Sequence, residues 1–275
     1  MSDTATRQKT SNLPQELIYQ IAALVLAVIV VHLVDVTVIR PNADVILADQ
    51  AERAAAGEAF VQDRSLYVVL RDYEQEACFI RMLWAIAIMG YKGRGALRER
   101  ALLQRRILEV SEGTSILPED TRSYTRPLQS LPDDEQRYLL PRSLMAALQR
   151  FGSIRNVHDT SEAVKATCEG EAERLDSELA MVRYIAWAIP SIGFIGTVRG
   201  IGEALGQAYR AVEGDIAGVT TSLGVAFNST FVALVISIII MFLLHQLQLI
   251  QERLVLDTQS YCDQHLIRHL QVRTA

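Results

Sequence analysis

Two threonines carry the most telling chemistry in this sequence. Thr197 lies within IAWAIPSIGFIGTVRGIGEALGQAY and Thr230 within VTTSLGVAFNSTFVALVISIII, apolar surroundings in which a hydroxyl is costly unless it bonds something. Ser222, Ala226, Thr230, Ala233 and Ser237 follow one another at three- or four-residue spacing, so on a helix they form one small, hydroxyl-bearing stripe. Pro190, Gly193, Thr197 and Gly200 repeat the pattern upstream. Lipid gives a hydroxyl no partner, so such stripes face another helix or water. If the chain turns back near Glu213 and Gly214, each threonine stands about 16 residues from the turn and both sit at one height. Several subunits around an axis would then line it with threonines. The plainer reading is that each hydroxyl bonds a carbonyl of its own helix.

No Asp, Glu or His stands on either stripe, although a proton relay normally needs a titratable group. A carboxylate for proton uptake would therefore come from another chain. His32 and Asp35 are the other candidates in an apolar stretch, at an end where hydration explains them. Arg199 and Glu203, four apart, are placed to pair or meet water at a pore mouth. Gly196/Gly200 and Gly202/Gly206 form two GxxxG spacings, which let membrane helices approach closely. Gly200, Gly202 and Gly206 read GxGxxxG, one residue too long for a dinucleotide fingerprint and preceded by no strand. His265 and His269, four apart in HLIRH, lack the Glu of a zinc-protease motif. No nucleophile elbow or phosphate loop occurs. No catalytic residue, cofactor or metal is expected.

The elements that must position these residues are membrane helices. Residues 17–39 form an apolar run of about 23 residues, enough to cross about 30 Å of hydrocarbon. The run is too long for a signal peptide, and no small-residue cleavage site follows before Arg40 and Pro41. Further spans are expected at 181–206 and 219–245, joined by a periplasmic link at 207–218. Residues 40–180 carry most of the 27 Lys and Arg, which marks a cytoplasmic helical region and sets the N-terminal segment 1–16 outside. Residues 246–275 continue the third span as a cytoplasmic helix. The stretch 77–91 (ACFIRMLWAIAIMGY) is apolar but short, and it admits two readings. A buried cytoplasmic helix gives three membrane spans; a fourth span puts the N-terminus inside. The fold class is all-α, a polytopic membrane protein of three or four spans with a helical cytoplasmic region. In that region DTSE, from Asp159 to Glu162, resembles a capping box, opening a helix unbroken until Pro190.

Composition narrows the class further. Half the residues are hydrophobic and the net charge is −5, with no basic domain, so nucleic acid is an unpromising partner. Cys78, Cys168 and Cys262 are scattered, which excludes a disulfide framework and a cysteine zinc site and suits reduced thiols on the cytosolic side.

From Pro190 to Ile201 the chain reads P-S-I-G-F-I-G-T-V-R-G-I. This resembles the P-x-x-G-x-x-G-T-V-x-G signature of the MotA/TolQ/ExbB proton-channel family, and Ala226 to Leu234 resembles that family's second pore helix. The likeness covers roughly residues 165–255. It implies a homopentamer in the bacterial inner membrane around a single-span MotB-, TolR- or ExbD-like partner, whose membrane Asp takes up and releases protons. Proton flow would then perform work elsewhere in the envelope. By this resemblance Thr197 and Thr230 are pore threonines and Pro190 a kink in the pore helix. Arg199 stands where relatives often have an apolar or aromatic residue, and Asn228 is a polar addition. The alternative is a scaffold that assembles through its GxxxG faces and conducts nothing.

Overall fold

The computed structural model describes residues 13–55, 65–105, 107, 108, 110, 114–214 and 216–272. The N-terminal segment up to residue 12 lies outside the described residues. The described chain is helical, without a strand; one isolated bridge joins Ile116 and Leu270. Three helical stretches are long and apolar enough to cross a membrane: Gln15–Gln50, Val157–Gly206 and Ala217–His269.

The chain divides into two compact units. The first holds the residues up to Met89 together with Val182–Leu243; the second holds Gly90–Met181 and Leu244–Ala275.

In the first unit, α1 (Leu13–Val34) passes through a π-helical turn at Asp35–Ile39 into α2 (Arg40–Ala55). A short α3 (Leu66–Leu70) precedes α4 (Tyr73–Leu103). The stretch 77–91 therefore belongs to a longer helix whose first part packs among the apolar helices. Tyr19 donates its hydroxyl proton to the Ala87 carbonyl (3.1 Å), and the Trp84 indole donates to the Gln20 carbonyl (3.0 Å). His32 reaches Glu76 at 2.7 Å, so α1 and α4 run antiparallel. Cys78 and Ala85 of α4 are buried, and the Cys78 Sγ lies 3.8 Å from the Ile189 carbonyl of α8 (Ala180–Gly206). Pro190 stands inside α8 without ending it. After α9 (Ala208–Val212) the chain reverses at Glu213–Gly214, where Gly214 takes φ +99°, a value that favours glycine. The expected turn position is where the reversal occurs. The chain then enters α10 (Ala217–His265). Phe227, Phe231, Ile238 and Phe242 of α10 and Trp187, Phe194 and Val198 of α8 are exposed, as suits helices with hydrocarbon rather than water around them.

In the second unit, α5 (Thr121–Gln129), α6 (Leu139–Ile154) and α7 (Val157–Glu178) enclose a core that includes Leu128, Leu144, Leu148 and Phe151, joined by Cys262 and Leu266. Here two expectations are corrected. α7 begins at Val157 because the Asn156 side chain accepts the backbone N–H groups of His158 (2.8 Å) and Asp159 (3.4 Å); the cap is three residues before the expected Asp159. The helix also stops short of Pro190, at Leu179, whose N–H bonds back to the Asp176 carbonyl.

Candidate functional site

The signature segment lies on α8, and its glycines set how closely α10 approaches. A Cβ on Gly193 would come within 2.5 Å of the Ala233 Cβ, and one on Gly200 within 2.7 Å of the Ser222 carbonyl oxygen. A Cβ on Gly196 would meet the Ser229 Cβ at 2.5 Å. Only glycine fits at these three places, because atoms of α10 already occupy the volume of a side chain. The antiparallel register that results sets Thr197 opposite Thr230.

The two threonine hydroxyls are hydrogen-bonded to each other. Thr197 Oγ1 also lies 3.1 Å from the Ala226 carbonyl and 3.2 Å from that of Gly193, and Thr230 Oγ1 lies 3.1 Å from the Gly193 carbonyl. Both side chains are half-buried. Each hydroxyl has one proton to donate. Thr197 thus has three oxygens in reach for one proton, and Thr230 has two. The pair can exchange which hydroxyl donates without moving a helix. Back-bonding within one helix, through Gly193, is present, but three of the four contacts cross between helices, one of them joining the hydroxyls themselves.

The stripes around the pair do not line open space along their whole length. Ala226 and Ala233 are 0% exposed, and Ser222 and Gly193 are also buried, all in the seam between α8 and α10. Ser222 accepts from the Gln207 side chain (3.2 Å), and Ser237 donates to the Ala186 carbonyl (3.4 Å). Within this chain the small size of Ser222, Ala226, Ala233 and Gly193 serves close packing. Thr197, Thr230, Ser237 and Pro190 keep partial exposure. The two GxxxG spacings also part company. Gly196 and Gly200 pack against α10, while a Cβ on Gly202 or Gly206 would meet nothing within 4 Å, so the second pair holds no helix among the described residues.

Arg199 proves to be tied more firmly than a mouth residue would be. Its Nε and Nη2 bond the two carboxylate oxygens of Glu74 at 2.8 and 2.9 Å, and it also reaches Glu203 (3.3 Å) and Asp72 (3.8 Å). The fork-to-fork geometry is the strongest ion-pair arrangement open to arginine. The Glu74 Cγ also comes within 3.1 Å of where a Cβ on Gly196 would stand. On the other side of α4, Glu76 bonds Arg40 (2.7 Å) and His32, and Arg40 reaches the buried Asp35 at 2.5 Å. His32 and Asp35 are thus part of an ion-pair network between helices, and hydration does not account for them. The sequence reading missed Glu74 and Glu76. The available signal was the acidic first turn YEQE opening an apolar helix, but nothing in the sequence says which cations these acids meet.

In the second unit, His265 closes α10 and His269 lies in a separate 3-10 turn, so the two do not share a helix face. Their rings contact different carbonyls, Tyr261 and Thr114. All three cysteines are free and buried. Glu171, with its side chain 2% exposed, bonds Arg142 (2.9 Å) and Arg174. Burial raises its pKa, but these two guanidiniums outweigh that and hold it below its usual range. Burial and the neighbouring Glu171 push Glu99 up to about 7, against the pull of Arg174 and Arg142.

No curated protein and no solved structure matches the chain. A family model does match, over residues 135–260, a stretch just short of half the chain that contains the signature, both threonines and all of α8, α9 and most of α10. The resemblance read from Pro190–Ile201 and Ala226–Leu234, over roughly residues 165–255, is borne out: residues 135–260 match the model of the MotA/TolQ/ExbB proton channel family.

Proposed function

We propose that this chain is the pore-forming subunit of a complex that conducts protons across the bacterial inner membrane and turns the flux into mechanical work. The observation that carries the reading is the Thr197–Thr230 pair, two half-buried hydroxyls bonded across antiparallel apolar helices with more acceptors than protons. Hydrogen bonds that re-form without backbone movement are what a proton wire requires. The pair is not itself titratable, so the proton-holding carboxylate belongs to a partner, a single-span MotB/TolR/ExbD-like protein with a membrane Asp, around which five copies of this chain assemble.

Four crossings fit better than three. The part of α4 up to Met89 belongs to the unit of apolar helices and runs antiparallel to α1. About 17 residues at 1.5 Å each rise about 25 Å, near the lower limit for a span. The N-terminal end then shares the cytoplasmic side with residues 90–181, and residues 65–72 face the periplasm. Of the two arrangements the sequence admits, this is the one with four spans and an inward N-terminus.

The experiment is proton uptake by inverted vesicles containing this chain, alone and with a co-expressed single-span MotB/TolR/ExbD-like protein. Uptake that requires both chains and vanishes when the partner's membrane Asp is changed to Asn supports the reading. An assembled complex that conducts nothing would leave the glycine-packed scaffold as the better account.

A further inference from the structure

We propose that the face of α4 just beyond Met89 binds the phosphate headgroup of an anionic phospholipid through Arg94 and Arg98. The inference rests on the four-crossing arrangement, which brings α4 out of the bilayer at the cytoplasmic leaflet near Gly90.

Four observations converge on this face. Arg94 and Arg98 are four residues apart, so both guanidiniums project from one side of the helix. Both are exposed, and among the described residues neither is paired with a carboxylate, whereas the other cations of this stretch are taken: Lys92 by Glu178 at 2.9 Å and Arg100 by Asp257 at 3.5 Å. The two arginines line a shallow groove together with Gly90, Gly93, Leu97 and Ala101. A Cβ on Gly90 would meet nothing within 4 Å, so a headgroup can come down onto the helix backbone there. Finally, Leu97, 55% exposed, lies between the two arginines on the groove wall. An apolar side chain beside two free guanidiniums suits the boundary where acyl chain gives way to phosphate, and two adjacent arginines suit a phosphodiester, whose oxygens accept in pairs. An acidic peptide would satisfy the charges but has no use for Leu97 at the membrane edge.

The test is lipid retention by the full-length protein, purified in mild detergent and supplied with phosphatidylglycerol or phosphatidylcholine, read by native mass spectrometry. Wild type is expected to retain phosphatidylglycerol preferentially. R94Q/R98Q should bind it roughly thirty-fold more weakly, a factor of about five for each charge at a membrane surface. R122Q/R126Q removes the same charge from α5 and should bind like wild type. Equal retention by R94Q/R98Q and wild type would overturn the proposal. So would an equal loss in both double variants, which would mean diffuse attraction, or a change in the number of copies with lipid retention intact, which would make this face a contact between subunits. None of these readouts depends on proton conduction, so they separate this proposal from the channel reading.

Discussion

A methyl group is a sharp probe at α8, because three glycines there carry the whole of the close approach. Gly200→Ala drives a Cβ against the Ser222 carbonyl and Ala226, which are backbone or short side-chain atoms with little room to yield. We expect it to destabilise the first unit by about 1–3 kcal/mol, read as a fall in the thermal midpoint in detergent. Gly202→Ala and Gly206→Ala face open space and should leave the isolated subunit unchanged or slightly more stable, since alanine is the better helix former. Sequence spacing flagged all of these glycines alike; only the register with α10 tells them apart. A different residue-scale test concerns Glu99. Its folded-state pKa, about 7, lies above the usual carboxylate value, so the folded protein holds this proton more tightly than the unfolded chain. The stability it contributes is full below about 4.5 and is lost as the pH rises through 7. Thermal unfolding of wild type should therefore weaken between pH 6 and pH 8 by on the order of 1–2 kcal/mol, and Glu99→Gln should flatten that slope. An unchanged slope in the variant would assign it to another group.

Between elements, the decisive tie is Glu74 to Arg199, which fixes α4 against the helix that carries Thr197. Glu74→Gln leaves one hydrogen bond where two charge-assisted ones stood and should cost about 1–2 kcal/mol. Arg199→Gln should cost a similar amount, and the double variant less than the sum, because the second change removes a partner already lost. Full additivity in thermal melts would show that the two residues act independently. This tie explains why the mouth assignment of Arg199 was only half legible. The i,i+4 pair with Glu203 can be read from the sequence, as can the antiparallel α8–α10 hairpin, whose turn is marked by Glu213–Gly214. The acid that holds Arg199 most firmly is 125 residues away, and no local pattern links the two. The same holds for α7: its cap is a matter of which side chain reaches which N–H, and Asn156 outcompeted Asp159 two residues into the helix.

For the whole molecule, the all-helical class and the likeness of residues 135–260 to the proton-channel family were legible because long apolar runs and a glycine-threonine signature are local features. The number of crossings was not, because the first part of α4 carries Glu74, Glu76 and Arg81, and their cost in a membrane depends on partners that only the fold supplies. Cysteine labelling decides the topology. Ser65→Cys should react with a membrane-impermeant maleimide from the periplasmic side of intact cells, and Ser123→Cys only after the membrane is opened. Protection of both from outside would restore the three-span arrangement. The central claim, that a hydroxyl pair at the α8–α10 seam passes protons, is tested most directly by comparing serine with valine at positions 197 and 230 in vesicles that also contain the partner. Serine keeps the oxygen and loses a methyl group; valine keeps the size and loses the oxygen. The account predicts that Thr197→Ser and Thr230→Ser retain most of the proton flux, while Thr197→Val and Thr230→Val each reduce it about tenfold in complexes that still assemble, the loss of one hydrogen bond being worth about 1 kcal/mol. Valine variants that conduct as well as wild type would contradict it.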